Sequence, residues 1–545
     1  MRSRIGTLSL ALLLAACSAG DPIAATVTST PAPGTTSTST TEVTTSSTLA
    51  SVATGEPDPV ITPAGVWLAV PSPAVYLQFD LDVGAGEVLG TFDSLGEGVE
   101  GLAVSGTWDG SRLDLEIPEL DASFSGEIID EGWTLSGTMD LPGMRMPVRF
   151  ERRAEPFAFV RPQTPVPPFP YETEEVSFRS ESAEIDLAGT LIRPTGTGPF
   201  PAVVFVSGSG PQDRDETMLG HRPFAVLADA FARNGIASLR YDDRGVGESG
   251  GTFAGALPDD LAADAAAAVE FLAGEIGTSW VGIVGHSEGG IVGPMASLQS
   301  DRVSFLILLA GPGVPGAEIL IRQTTDILAA EGLPQDAIAG RLEWMEPAIR
   351  VAAGGGTDAE VTAAIEEALA SIDSAVAAIP GVVDPPEAVA AALLDPWMRA
   401  FLRLDPGPYL ESVEVPVLAL VGSLDVQVSA ETNAPALEAA LAGNPDAVVR
   451  VLPGLNHLFQ DATTGGLSEY AMLTETFDRD TIDLIVGWIL ERFGEARDPQ
   501  TALIPPSTAS TCPVVYDEAS DSRKMDAPAI SSGRAWRPSA VRSVK

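Results

Sequence analysis

Residues 285–289 read Gly-His-Ser-Glu-Gly and fit the pattern G-x-S-x-G. The pattern follows a short apolar run, 281–284, and precedes a stretch of helical composition, 288–300. Between a strand and a helix, this pattern forms a sharp turn that strains the serine backbone and exposes its hydroxyl. The flanking glycines let neighbouring backbone segments approach closely. We therefore predict that Ser287 is a nucleophile at the carboxyl end of a buried strand.

A serine hydroxyl is a poor nucleophile unless a base activates it. The chain contains three histidines, His221, His286 and His457. His286 adjoins the serine, where backbone geometry directs its side chain away, and His221 precedes the serine in the chain. Folds with this turn place their triad in the order serine, acid, histidine. We therefore predict His457, in a loop after the apolar run 447–452, as the base.

The acid of a catalytic triad fixes the tautomer of the imidazole and stabilises the imidazolium. Asp425 is the first carboxylate after the apolar run 417–421, so it is our predicted acid. Asp461, which lies close to His457 in sequence, is the alternative.

An oxyanion hole needs backbone N–H groups beside the nucleophile. The glycine-containing segment 207–211 follows the apolar run 202–207 and suits such a loop. We predict that the backbone amides of Ser209 and Glu288 form the hole.

From about residue 174 to 495, apolar runs rich in Val, Ile and Leu alternate with helical stretches. This alternation predicts an α/β domain with a mostly parallel, doubly wound sheet. An Ala- and Glu-rich region, about 316–413, interrupts the alternation and predicts a helical cap. The predicted cap helices span 317–331, 335–352, 358–379 and 385–403. We expect this cap, with its apolar faces, to line an acyl pocket and set substrate choice.

Residues 62–152 show alternating apolar and polar positions separated by glycine-containing turns. They predict a small antiparallel barrel or sandwich whose tryptophans, Trp67, Trp108 and Trp133, lie in the core. A proline-rich connector, 153–173, separates this region from the α/β domain, because proline excludes helix and central strand. The β region has no route to the triad that the sequence makes evident.

The first 16 residues combine Arg2 and Arg4 with a short apolar run that ends in Leu-Ala-Ala before Cys17. This is typical of a secretory signal peptide, and the ending resembles the bacterial lipoprotein box. The resemblance implies cleavage before Cys17 and its lipidation; an ordinary cleaved signal is the alternative. Residues 17–61, rich in Ser, Thr and Pro, suit a flexible tether. We therefore expect an exported protein, lipid-anchored to the outside of the cytoplasmic membrane or to the cell envelope.

The formal net charge of −44 excludes nucleic acid as a natural partner, since that binding needs clustered Lys and Arg. Cys512 is the only cysteine besides Cys17, so an acylated Cys17 leaves no intrachain disulfide. The tail, 496–545, contains the only two lysines and no apolar periodicity. We expect it to be disordered or foreign to the natural frame.

The α/β region resembles the bacterial α/β-hydrolase esterases with a helical cap, which are related to dienelactone-hydrolase-like and serine-aminopeptidase-like enzymes. The matching segments, in order, are RPQ at 161–163 with PFPY at 168–171, SGSGPQDRD at 207–215, RYDDRG at 240–245, GHSEGG at 285–290 and NHLF at 456–459. The resemblance implies the α/β-hydrolase fold and a serine hydrolase that uses neither a metal nor an organic cofactor.

These observations predict hydrolysis of a small-molecule ester or acyl substrate through an acyl-enzyme. The main alternative is an exported serine peptidase or acyl-aminopeptidase of the same fold. An acyl thioesterase, or a non-catalytic lipoprotein that binds a polymer through residues 62–152, is a weaker alternative. The sequence leaves the acyl length, the leaving group and the oligomeric state open.

Overall fold

The structure is a computed structural model that describes residues 61–494, except 73–74, 85, 98, 142–143, 378 and 380–381. The predicted signal peptide, Cys17, most of the tether and the tail lie outside the described residues. Within the parts of the chain that are described, no helix has both the length and the apolar character needed to cross a bilayer.

The N-terminal region forms a closed antiparallel barrel of eight strands, each paired with the next along the chain. The strands are β1 Gly65–Ser72, β2 Val75–Gly84, β3 Glu87–Ser94, β4 Val99–Trp108, β5 Arg112–Ile117, β6 Ala122–Ile129, β7 Thr134–Leu141 and β8 Met144–Arg153. Residues of β5 alternate between exposed and buried, as a barrel wall requires. The all-β prediction is confirmed, and the fold is a barrel rather than a sandwich.

Aromatic side chains fill the inside of the barrel. The rings of Phe79, Phe124 and Phe150 contact one another at centroid distances of 5.0–5.8 Å. Trp67 is fully buried beside them, as predicted. Trp133 is 65% exposed, so its prediction as a core residue is wrong. It immediately follows the short 3₁₀ turn Asp130–Gly132, and a turn residue is free of the inward and outward alternation of a strand.

The second region contains an eight-stranded sheet in the order β16-β15-β14-β13-β11-β12-β10-β9. Its strands are β9 Glu172–Ser180, β10 Ile185–Arg193, β11 Ala202–Val206, β12 Ala237–Tyr241, β13 Val281–His286, β14 Val303–Leu309, β15 Val417–Gly422 and β16 Ala447–Leu452. The six strands from β11 to β16 run parallel, and the hairpin of β9 and β10 adds an antiparallel edge. The prediction of a mostly parallel sheet is confirmed.

Thirteen helices lie in the described part of this region. They are α1 Pro223–Arg233, α2 Pro258–Ile276, α3 Gly289–Ser297, α4 Gly316–Ala330, α5 Gln335–Ala353, α6 Asp358–Ser371, α7 Ser374–Ala377, α8 Pro386–Leu394, α9 Pro396–Arg403, α10 Gly407–Glu411, α11 Ala430–Ala440, α12 Leu467–Tyr470 and α13 Arg479–Phe493. Helices α1 and α13 pack on one face of the sheet, while α2, α3 and α11 pack on the other. The sheet is therefore doubly wound, with a hydrophobic core on each face.

Helices α4 to α10 lie between β14 and β15 and form the predicted helical cap. The cap has its own hydrophobic core around Trp344 and Met345. The predicted single helix over 385–403 is two helices, because Pro396 lacks the N–H that would continue the first. Asp395 caps the second one, accepting the N–H groups of Trp397 and Met398 at 2.9 and 3.2 Å.

Candidate active site

Ser287 lies on the sharp turn between β13 and α3. Its φ of 53° falls in the left-handed region, which a residue with a side chain rarely adopts. Its N–H donates to the carbonyl of Leu309 on the neighbouring strand at 2.8 Å. A Cβ at Gly285 would lie 2.0 Å from the Gly289 carbonyl oxygen, so the turn closes only with glycine there. The turn thus holds the serine in the geometry that the motif predicts.

His457 and Asp425 form a buried hydrogen-bonded pair. The distance between His457 Nδ1 and Asp425 Oδ2 is 2.8 Å, and both side chains are at most 5% exposed. Asp425 Oδ1 accepts the N–H groups of Gln427 and Val428, each at 2.8 Å. Since a carboxylate only accepts, Nδ1 of His457 donates and Nε2 remains as a base. The competing Asp461 is exposed and lies outside this pair.

Ser287 and His457 line the same cavity, between the carboxyl ends of the strands and the cap. Its apolar wall comes from α4 and α9, through Ile319, Leu320, Trp397, Met398 and Phe401. Trp344 and Met345, which also lie on the predicted apolar faces, instead fill the core of the cap.

The loop after β11 brings Ser209 to the cavity that Glu288 also lines. Buried Asp243 holds this loop, since it accepts the Ser207 hydroxyl at 3.1 Å and the Gln212 N–H at 2.9 Å. Both predicted oxyanion residues therefore line one cavity with Ser287.

The side chain of Glu288 connects the turn of Ser287 to the cap. Its Oε1 accepts the indole N–H of Trp397 at 3.1 Å, and Ser209 also hydrogen-bonds to the carboxyl group. The residue is 1% exposed, and burial raises its pKa to about 7. Near neutral pH this carboxyl group therefore exists in both protonated and ionised forms.

Residues 221–376 match a family model described as serine aminopeptidase, S33. Esterase EstD of Thermotoga maritima is 25% identical over 316 residues, which are 58% of this chain and 68% of that protein. Solved structures that resemble the chain include an esterase from Pyrococcus furiosus, at a TM-score of 0.37 and 15% identity, covering 62% of this chain and 98% of that one. A dienelactone hydrolase from Anabaena variabilis follows at a TM-score of 0.33 and 16% identity, covering 59% and 98% of the two chains.

The doubly wound sheet and the strained serine turn decide the fold, and the family match over 221–376 lies within this region. The second region has the α/β-hydrolase fold. Among its described residues, no group of three or more His, Cys, Asp or Glu side chains is placed to hold a metal ion.

The α/β-hydrolase domain also contains a buried pair, Glu216 and His286, that the sequence did not predict. The backbone geometry expected for the turn excludes His286 as the base, and the sequence assigns it no other role. The distance between His286 Nδ1 and Glu216 Oε1 is 2.9 Å. The remaining signal in the sequence was the position of Glu216, directly after the matching segment 207–215.

The third histidine, His221, is buried away from the cavity. Its ring contacts Thr476 Oγ1 and the Tyr470 carbonyl, both at 3.0 Å. Burial lowers its pKa to about 4, so it is neutral near pH 7 and has a structural role.

The barrel reaches the loops of the α/β-hydrolase site. Tyr76 of β2 packs against a cluster that includes Leu219, Val426 and Leu458. The last two adjoin Asp425 and His457 in sequence. In addition, the N–H of Leu219 donates to the carbonyl of Gly96 in the barrel at 2.7 Å. The sequence made no route from the β region to the proposed triad evident, and these contacts provide one, because they join residues far apart in the chain.

Proposed function

We propose that this chain is a serine carboxylesterase that acts through an acyl-enzyme. The observation that carries the proposal is the buried His457–Asp425 pair in one cavity with Ser287 on its strained turn. The apolar wall from the cap suits the acyl chain of an ester.

In this mechanism, Ser287 Oγ forms a bond to the ester carbonyl carbon while its proton passes to His457 Nε2. The carbonyl oxygen takes the electron pair, and the amides of Ser209 and Glu288 stabilise its charge. Collapse of this intermediate breaks the bond to the alcohol, which leaves with the proton from His457. A water molecule then repeats the sequence on the acyl-enzyme and releases the acid.

The test is Ser287→Ala, assayed on short p-nitrophenyl esters. We expect kcat to fall by about 10⁶-fold, the scale seen when a serine hydrolase loses its nucleophile. An unchanged thermal unfolding curve controls for the fold, and a fluorophosphonate probe should label the wild type but not the variant. Retention of more than a few per cent of the activity would show that the assignment is wrong.

A peptidase is the second candidate, because the family model that matches residues 221–376 is described as a serine aminopeptidase. Esterase EstD, in contrast, is named as an esterase. Parallel assays on p-nitrophenyl esters and aminoacyl anilides separate the two activities. A higher kcat/KM for the anilides would replace the esterase proposal.

Export and lipid anchoring through Cys17 complete the proposal. Their support is the Leu-Ala-Ala-Cys ending and the tether behind it, both outside the described residues. Mass spectrometry of a membrane fraction should find an acylated peptide that begins at Cys17. A mature chain that begins elsewhere and stays soluble would contradict the anchor.

A further inference from the structure

His286 is the residue before the proposed nucleophile, and its ring is 6% exposed. Nδ1 lies 2.9 Å from Glu216 Oε1, and Nε2 lies 2.9 Å from the backbone carbonyl oxygen of His457. A carbonyl oxygen only accepts, so Nε2 carries a proton. The other nitrogen faces a carboxyl oxygen, and one proton must lie between them.

The shared proton belongs on the ring. An unperturbed imidazole is a stronger base than a glutamate carboxylate by about two pKa units. Glu216 Oε1 also accepts the N–H of Gly208 at 2.7 Å, an arrangement that favours an ionised oxygen. Both ring nitrogens of His286 then donate, and the ring is an imidazolium paired with Glu216.

This one ring connects three parts of the site. Through Glu216 it holds the N–H of Gly208, and a Cβ placed on Gly208 would lie 3.2 Å from Ser287 Cβ. Through Nε2 it holds the carbonyl of His457, and the centroids of the two histidine rings are 4.7 Å apart. A single buried side chain thus connects the oxyanion loop, the Ser287 turn and the loop of His457.

The charges around His286 keep the ring protonated. The groups that face it are Glu216 from the loop after β11, the ring of His457, and Asp425 beyond that ring. Burial opposes the charge, but Glu216, the carbonyl of His457 and Asp425 together outweigh it, and the pKa of His286 is raised. Loss of the proton would break one of the two hydrogen bonds and leave the Glu216 carboxylate buried without its counter-charge.

We propose that His286, held as an imidazolium by Glu216, is a positioning residue that aligns the oxyanion loop and the loop of His457 for acyl transfer from Ser287. The role in turnover rests on the proposed function, whereas the charge state of the ring does not.

Nitrogen NMR tests the charge state directly, because the chain has three histidines. Two isotope-labelled proteins are compared, the Ser287→Ala variant and the double variant that also carries His286→Asn. The ring signals present in the first and absent from the second belong to His286. We expect both of its ring nitrogens to be protonated at neutral pH and to remain so above pH 7. The signals of His221 should show a neutral ring throughout. A neutral His286 at pH 7 would overturn the proposal.

Turnover tests the positioning role. We expect His286→Asn to lower kcat by about 10²-fold, the scale of a small misplacement at a catalytic group, with KM within about two-fold. Glu216→Gln keeps the shape of the side chain and an acceptor for the Gly208 N–H, but it removes the negative charge that holds the proton on His286. The ring should therefore lose its proton, and kcat should fall, at a lower pH than in the wild type. Glu431→Gln, whose side chain is 76% exposed, is the matched control.

The outcomes separate the two proposals. If Glu216→Gln leaves both kcat and the pH profile unchanged, the positioning role is wrong, even when His286→Asn fails to fold. If Ser287→Ala stays active, the proposed function fails, while the NMR result on His286 still stands or falls on its own.

Discussion

At the residue scale, the proposed triad could be derived from the sequence because the chain has so few histidines. With three histidines and a fixed order of serine, acid and base, His457 followed by elimination, and the structure brings it to Asp425. The pair of Glu216 and His286 could not be predicted in the same way. These residues lie 70 positions apart and meet only through the path of the loop after β11.

The choice between Asp425 and Asp461 gives the first prediction at this scale. Asp425→Asn should lower kcat for esters by about 10³- to 10⁴-fold, because the amide favours the wrong tautomer of His457. Asp461→Asn, at an exposed position, should leave kcat within about two-fold. Steady-state kinetics of the two purified variants decide the matter, and similar losses at both positions would contradict the assignment.

Glu288 gives a prediction about pH and stability. Its pKa in the folded protein is about 7, above its ordinary value of 4.5, so its contribution to stability is complete below pH 4.5 and is lost as the pH rises through 7. The loss is on the order of 3 kcal/mol. Glu288→Gln cannot ionise, so its free energy of unfolding should fall less between pH 5 and pH 8.5 than that of the wild type. Denaturant unfolding at the two pH values measures the difference, and parallel pH profiles would contradict it.

At the scale of elements, the sequence predicted the cap but not which of its apolar residues line the cavity. The sequence showed the apolar faces of its helices, yet only packing separates the residues that line the cavity from those that fill the cap core. Met398 lines the cavity as well as packing in the cap core, whereas Met345 lies in that core and does not line the cavity.

The difference between cavity-lining residues and other residues of the cap core predicts how acyl selectivity responds to substitution. Met398→Ala enlarges the cavity, so kcat/KM for longer acyl chains should rise relative to short ones, by about 10-fold or more per methylene accommodated. Met345→Ala removes the same atoms from a buried site and is the control for lost stability. A series of p-nitrophenyl esters measures the preference. If both variants keep the order of the wild type, α9 does not form the acyl pocket.

At the scale of the whole molecule, the barrel and the α/β-hydrolase domain meet at the site. The alternation of apolar and polar residues is a local pattern, so it predicted an antiparallel barrel or sandwich for residues 62–152. The contact between the two regions includes Tyr76, which packs against the cluster of Leu219, Val426 and Leu458, and the hydrogen bond from Leu219 to Gly96. No local sequence pattern indicates which residues make a contact between two regions, so this contact could not be predicted from the sequence.

The barrel should therefore affect the rate of the reaction but not its choice of substrate. Tyr76 packs in the cluster behind Val426 and Leu458, which fix the loops of Asp425 and His457, whereas the cap supplies the apolar wall. Tyr76→Ala should lower kcat for every ester by roughly 3- to 10-fold, equivalent to about 1 kcal/mol, and leave the order of the ester series unchanged. Trp133→Ala removes another aromatic side chain of the barrel, one that is 65% exposed, and should have no effect. An altered ester order in Tyr76→Ala would mean that the barrel shapes the acyl pocket, and equal rates in both variants would mean that it does not brace the site.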